Sequence, residues 1–313
     1  MKKDPAPLSL TVGITAFNEA GNIRNLLTTI LVQEERGFAL KKILVVSDAS
    51  TDETVREVKA IKDPRVQLID RAIRGGKNNG INVIFENADT DVVALLDADI
   101  LLESSKTLSI LINPFITDAE LSGVSGCALP FPAKNFVQKV LTAGWNMWND
   151  LRLHTPGAEL YRSEGTIRAF RNSLYTQMRF EDGVTDEWFP YLYCRKYGYK
   201  FGFAPDAITY YLLPALYREY ARGTVRILRA SHIESATFES AFIEQFDVIK
   251  SKEKYAALAK HFITDPFWMS LYALFVLYPK MIVLLGKTKT HTSAWEMSTS
   301  TKKFDSDVAV SPV

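Results

Sequence analysis

Asp91-Val92-Val93-Ala94-Leu95-Leu96-Asp97-Ala98-Asp99 runs an unbroken apolar stretch into two carboxylates at alternate positions. Such a short apolar run predicts a strand buried on both faces, here Asp91–Leu96. Carboxylates at its end share the loop side, where both can reach one cation. Carboxylate oxygens suit a hard ion, Mg²⁺ or Mn²⁺, which can also hold a diphosphate. An isolated Asp-x-Asp is equally a polar strand end or a helix cap, so its neighbourhood decides the reading.

Upstream, strand and helix patterns alternate. Leu8–Thr15 and Lys42–Ser47 read as buried β-branched strands and Val66–Ile69 as a third. Ile23, Leu26, Leu27, Ile30 and Leu31 recur at helical spacing, as do Ile81, Ile84, Phe85 and Ala88. Ser50-Thr51-Asp52-Glu53 has the spacing of a capping box ahead of a helix carrying Val55, Val58 and Ile61. Strands separated by single helices imply a largely parallel α/β sheet covered on both faces, with ligands beyond the strands' carboxyl ends. Those ends carry Asn18, Glu19, Asp48, Asp52, Lys77, Asp97 and Asp99.

Each of these residues has a plain alternative role. Asp48 can accept hydrogen bonds from a base or ribose, or begin a turn. Lys77, in the loop Gly75-Gly76-Lys77, can meet phosphate oxygens or stay solvated. This loop is neither a Walker sequence nor a strand-preceded Gly-x-Gly-x-x-Gly, which disfavours nucleotide triphosphatases and dinucleotide enzymes. Thr185-Asp186-Glu187-Trp188 sets two acids at a helix start, where one can serve as general base or both can complement the helix dipole. Arg222 and Arg226 share a helix face and can clamp a diphosphate, meet anionic lipid, or face solvent.

In the less regular middle, Phe136–Leu153 reads as a helix bearing Trp145 and Trp148. Gly165–Arg171 reads as a turn, Asp186–Tyr197 as a helix closed by Gly198, and Phe201–Ala204 as a short strand stopped by Pro205. Leu216–His232 and Phe238–Ile249 read as helices, and the Ser- and Thr-rich tail after Trp295 as poorly ordered. The net charge is +1, so no nucleic-acid partner is expected. With two cysteines, Cys127 and Cys194, there is neither a disulfide framework nor a zinc pattern. Met1–Pro5 lacks the apolar core of a secretory signal, and the expected location is the cytoplasm or the cytoplasmic face of a membrane.

The segments Thr15-Ala16-Phe17-Asn18-Glu19, Val45–Asp52, Gly75-Gly76-Lys77 and Leu95–Asp99 together resemble the family 2 glycosyltransferases, inverting enzymes of the GT-A fold, over about Leu8 to Arg229. The resemblance implies a metal-dependent enzyme with a nucleotide-sugar donor, UDP-sugars being favoured, and a hydroxyl acceptor on a glycan or lipid-linked molecule. It places Ala16, Asn18, Glu19, Asp48, Lys77, Asp97, Ala98 and Arg226 at the donor, and Asp97 and Asp99 at the metal. The family's Thr-Glu-Asp stands here as Thr185-Asp186-Glu187, with the acids exchanged. The distance to Gly198 puts Glu187 in the base position, with Asp186 as the alternative. In place of the processive Gln-x-x-Arg-Trp stands Gly223-Thr224-Val225-Arg226-Ile227, which favours transfer of one or a few sugars. Trp145, Trp148, Arg168 and Trp188 are the candidate acceptor residues. The rival functions are a nucleotidyltransferase and a non-catalytic nucleotide-sugar-binding scaffold.

The expected organisation is a catalytic domain over 1–232, with a nucleotide-binding half to 103 and an acceptor half from 104. A helical segment follows over 233–295, then a tail over 296–313. Phe267–Gly286 is apolar and, at about 20 residues, long enough for a bilayer core of about 30 Å. Pro279-Lys280 interrupts it, leaving three placements: spanning, lying in the membrane interface, or packed on protein. Many relatives make lipid-linked sugars or surface polysaccharide, so the resemblance adds a membrane surface as an expected partner.

Overall fold

The computed structural model describes residues 6–285 and 298–302. In chain order come β1 (Leu8–Ala16), α1 (Ile23–Leu31), β2 (Phe38–Ser47), α2 (Thr54–Ala60), β3 (Val66–Asp70), α3 (Gly76–Glu86) and β4 (Val92–Asp97). Next are β5 (Ile100–Leu102), α4 (Thr107–Thr117), β6 (Leu121–Pro130), α5 (Phe136–His154), α6 (Glu159–Arg162), β7 (Ile167–Arg171) and α7 (Asn172–Tyr175). The remainder is α8 (Trp188–Tyr197), β8 (Lys200–Tyr211), α9 (Tyr217–Phe238), α10 (Ser240–Glu244), α11 (Ser251–Thr264) and α12 (Pro266–Leu284).

The described strands form one eight-stranded sheet in the order β3-β2-β1-β4-β7-β6-β8-β5. β1 pairs in parallel with β2 and β4, and β2 with β3. β7 is antiparallel to β4 and β6, and β8 runs parallel to β6. Alternation along each strand feeds two cores. Ile43 and Val45 of β2 join Val92, Ala94 and Leu96 of β4 under α1 and α4. Leu44, Val46, Val93 and Leu95 point the other way, under α3 and α8. The α1 face is the expected one, with Ile23, Leu26, Leu27 and Ile30 buried.

Several local expectations are corrected. The capping box does not form. Ser50 Oγ instead accepts the Asn18 N–H at 3.2 Å, and Asp52 Oδ1 accepts the Thr54 N–H at 3.0 Å. Only the start of Gly165–Arg171 is a turn; Ile167–Arg171 is β7, held by β4 and β6 on either side. Pro205 does not stop β8. The register with β6 slips between Ser125 and Cys127, opposite Phe203 and Ile208, and this bulge spares Pro205 a ladder bond. α8 starts at Trp188, not Asp186. Its end does match expectation, at Gly198 with φ 76°.

The two proposed halves share the one sheet, and α9 runs through the expected boundary at 232. It stops at Phe238, before Glu239 with φ 64°, so Phe238–Ile249 is not a single helix. α12 packs one side on α5 and α9, with the Tyr217 and Phe275 rings 4.5 Å apart. Of the expected loose tail, Ser298–Lys302 are bonded to the catalytic domain; 296, 297 and 303–313 lie outside the described residues.

Candidate active site

A cavity of about 250 Å³ lies across the carboxyl ends of β2, β1 and β4. β1 supplies Thr15, Ala16, Phe17 and Glu19, and β2 supplies Asp48. The start of α3 supplies Arg74, Gly76 and Lys77; β4 supplies Asp97, Ala98 and Asp99. Gly165 and Thr166 before β7, Asp186 and Glu187 before α8, and Arg226 of α9 complete the far wall. Ser298 and Thr301 also line it.

The β1 and β2 loops are tied together by hydrogen bonds. Asn18, with φ 53°, accepts the Thr51 N–H through its side chain at 2.8 Å and lies outside the lining. Asp48 is buried and accepts the N–H groups of Gly75 and Gly76, each at 2.8 Å, and the Arg71 guanidinium at 3.0 Å. Gly76 takes φ 84°, a left-handed turn that presents its N–H there. Above them the Arg74 guanidinium stacks on the Phe17 ring, 3.7 Å from its centroid.

Lys77 Nζ bridges Asp97 and Asp186, 2.6 Å from each. Burial alone would lower its pKa, but the two carboxylates outweigh this and raise it. Asp186 also receives Arg168, a guanidinium 1% exposed that donates to Asp186 at 2.9 Å and to the Gly165 carbonyl at 2.8 Å. Burial works to raise Asp186, yet Lys77 and Arg168 hold it well below the carboxylate range. On the adjoining Glu187 the charges of Lys77, Arg226 and Arg168 weigh less than burial. Burial first, and the Asp186 charge second, raise its pKa above the usual carboxylate value. Adjacent acids thus differ in environment: Asp186 stays ionised in a buried ion-pair network, and Glu187 is raised beside it.

Burial, with Asp186 and Asp99 nearby, also raises Asp97 against the pull of Lys77. Glu19, 2% exposed, is pushed up to about 8 by burial and then by Asp99, against its ion pair with Lys302. The Asp99 charge thus bears on both Asp97 and Glu19, where a further cation would be stabilised. Asp97 and Asp99 therefore fit a hard cation. Among the described residues no group of three His, Cys, Asp or Glu side chains converges, so such an ion would take its other oxygens from a ligand and water.

Of the residues expected here, Ala16, Glu19, Asp48, Lys77, Asp97, Ala98, Asp99, Asp186, Glu187 and Arg226 line the one cavity. Trp145, Trp148 and Trp188 do not. Trp188 packs edge-on to Tyr161 at 5.6 Å, and Arg168 lies behind Asp186. Sequence reasoning missed Arg74 and the 298–302 segment. Arg74 had a signal, standing beside Gly75-Gly76; the segment had none.

The model of the family described as "Glycosyl transferase family 2" matches residues 11–179. A poly-β-1,6-N-acetyl-D-glucosamine synthase of Staphylococcus aureus is 22% identical over 228 residues, 71% of this chain and 54% of that protein. The chain thus spans about half the length of this curated relative. Among solved structures, a mannosyltransferase from Pyrobaculum calidifontis in complex with GDP-Man and Mn²⁺ aligns with a TM-score of 0.61 at 19% identity, covering 91% of this chain and 89% of that one. Glucosyl-3-phosphoglycerate synthase from Mycobacterium tuberculosis, with Mn²⁺, UDP and glucosyl-3-phosphoglycerate, aligns at 0.54 and 14% identity, covering 74% and 81%.

Proposed function

The chain belongs to glycosyl transferase family 2, and we propose that this glycosyltransferase moves a sugar from a nucleotide-sugar to a hydroxyl of a glycan or lipid-linked acceptor, inverting the anomeric centre. The observation that carries this reading is the division of labour between Asp186 and Glu187 in one cavity with Asp97, Asp99 and Lys77.

Asp97 and Asp99 would hold Mg²⁺ or Mn²⁺, which when bound offsets charge building on the leaving diphosphate. Lys77 and Arg226 supply fixed positive charge beside the same group. Glu187 takes the acceptor proton as the acceptor oxygen attacks the anomeric carbon; the bond to the diphosphate breaks on the opposite face, with no covalent intermediate. Asp186, neutralised by Arg168 and Lys77, positions Lys77 instead. UDP-sugars are the favoured donors. GDP-sugars are the second reading, favoured by the GDP-Man held in the structure that aligns at 0.61. Transfer of one or a few sugars follows from the lone Arg226 in the stretch where processive relatives carry Gln-x-x-Arg-Trp.

The membrane partner is a bilayer surface. α12 is the one described helix long and apolar enough to cross a membrane, with 11% of its apolar window buried. Phe267, Leu274, Leu277, Tyr278, Met281 and Leu284 are exposed on it, while Tyr272 and Phe275 pack inward. A helix with one side held by protein and the other apolar suits lying in the interface.

Glu187→Gln should stop transfer while nucleotide-sugar affinity stays within about twofold, and Asp99→Asn should abolish both transfer and metal-dependent binding. If Asp186→Asn rather than Glu187→Gln shows the first pattern, the base is misassigned. Metal-dependent transfer at wild-type rate by Asp99→Asn would sink the site.

A further inference from the structure

Asp186 pairs with both Arg168 and Lys77, and the two cations are held in different ways. Arg168 lies on β7, its backbone opposite Leu95 of β4 and Ser125 of β6, and its side chain is 1% exposed. The Gly165 carbonyl fixes its guanidinium a second time at 2.8 Å. Lys77 is anchored through the backbone around it. Asp48 accepts the Gly76 N–H at 2.8 Å, and Asn78 Nδ2 donates to the carbonyls of Glu181 at 2.8 Å and Val184 at 3.0 Å. One turn on, the Asn82 side chain donates to the Phe180 carbonyl and accepts the Phe180 N–H, each at 2.9 Å. The start of α3 is thus riveted to the stretch that leads into Asp186. From this base the Lys77 ammonium reaches out on a flexible four-carbon stem and ends 2.6 Å from Asp97 and from Asp186.

Asp97 therefore faces two claims. It is one of the two carboxylates that fit a hard cation, and Lys77 already donates to its Oδ1. Both side chains are less than a quarter exposed, so water screens a second positive charge there only weakly. On that carboxylate Lys77 repels any divalent cation shared between Asp97 and Asp99. A diphosphate removes the conflict, because its oxygens accept from the ammonium in place of Asp97. Lys77 can make that exchange and keep its contact with Asp186, whose charge Arg168 continues to balance. Two cations on one aspartate thus have separate uses: one is fixed, and the other is free to swing.

We propose that Lys77 makes metal capture conditional on the diphosphate, holding Asp97 against a metal ion alone and passing from Asp97 to the diphosphate when both are bound. This rests on reading the cavity as a nucleotide-sugar site. The ammonium turns about its Asp186 contact while α3 stays in place. The consequence is a coupling between two ligands, and it is reciprocal: the diphosphate strengthens metal binding by the factor by which the metal ion strengthens diphosphate binding.

Titration calorimetry on the full chain tests this, at about pH 8 to limit proton competition for Asp97. Mn²⁺ is titrated alone and with saturating UDP or GDP, whichever binds more tightly. Wild type should bind Mn²⁺ at least about tenfold more tightly with the diphosphate present. Lys77→Met should bind Mn²⁺ alone at least about fivefold more tightly than wild type, and the gain from diphosphate should fall at least about tenfold. Lys77→Gln, which keeps a donor near both acids, should show the same trend and serves if Lys77→Met does not fold; a thermal melt checks each variant. Lys302→Met removes a cavity-side cation that pairs with Glu19 instead, and should leave Mn²⁺ alone within about twofold of wild type. Unchanged or weaker binding of Mn²⁺ alone in a folded Lys77 variant overturns the inference, as does a diphosphate gain equal to that of wild type. An equal rise in Lys302→Met would make the effect one of general charge and overturns it too. If wild type binds neither nucleoside diphosphate with Mn²⁺, the donor-site reading itself fails.

Discussion

Arg168→Met removes one of the two cations that hold Asp186 and should destabilise the protein by about 3 kcal/mol at pH 7. The Arg168 side chain is 1% exposed and that of Asp186 15%, so water does not screen the pair. Breaking such a buried pair by removing one partner costs about 3–5 kcal/mol, because the remaining charge is stranded. Two features place the cost at the lower end. Asp186 keeps Lys77 at 2.6 Å, and Arg168 Nε is buried without a hydrogen-bond partner, so the native guanidinium is itself incompletely satisfied. The sign of the pH dependence follows. The folded-state pKa of Asp186 lies below its unfolded value of about 3.9, so its contribution is complete above that pH and is lost as pH falls through the folded pKa. Losing Arg168 lessens this depression. The gap between wild type and variant should be full at pH 7 and narrow on acidification below about pH 4. Urea unfolding followed by tryptophan fluorescence reads both quantities. A double-mutant cycle with Asp186→Asn should return a coupling above about 1 kcal/mol. A loss below about 1 kcal/mol at pH 7, or a gap that widens on acidification, refutes the clamp.

Three further outcomes follow from the same geometry. A Cβ on Gly165 would stand 2.8 Å from Glu187 Cγ and 3.0 Å from Asp186 Oδ2, so Gly165→Ala should displace the base and lower kcat about 10- to 100-fold with donor KM little changed; steady-state rates near wild type would show that Glu187 need not sit there. Because Glu187 is raised, the base form is lost as pH falls through a pKa above the usual carboxylate range. The acid limb of kcat should therefore lie above about pH 4.3, and rates flat down to pH 4 would contradict this. Finally, Leu274→Ser with Leu277→Ser and Met281→Ser should weaken flotation with anionic lipid vesicles at least about tenfold while melting near wild type; equal flotation would remove α12 as the docking face.

The parallel half of the fold was legible because its strands carry β-branched and aliphatic runs such as Ile43–Val46 and Val92–Leu96, which sheets covered on both faces bury. The same logic put Asp48, Asp97 and Asp99 at strand ends and hence on one rim. The antiparallel half was not legible. Ile167–Arg171 is held as a strand by neighbours distant in sequence, and Pro205 reads as a stop until the bulge against β6 is seen. Asp186 and Glu187 look interchangeable in a row of letters. Their difference depends on Lys77 and Arg168 arriving from other elements, and on burial, which pairs charges through space and not along the chain. Ser298–Lys302, a polar stretch with no periodicity, reads as tail because its partners Glu219 and Asn22 lie far back in the chain. Sequence by itself determined which strands form and which acids their ends carry, since hydrophobic period and strand-end position are local. Tertiary structure alone decided that Asp186 joins the Lys77–Arg168 ion-pair network and that Ser298 and Thr301 reach the cavity, since both depend on charges and hydrogen bonds that meet only after folding.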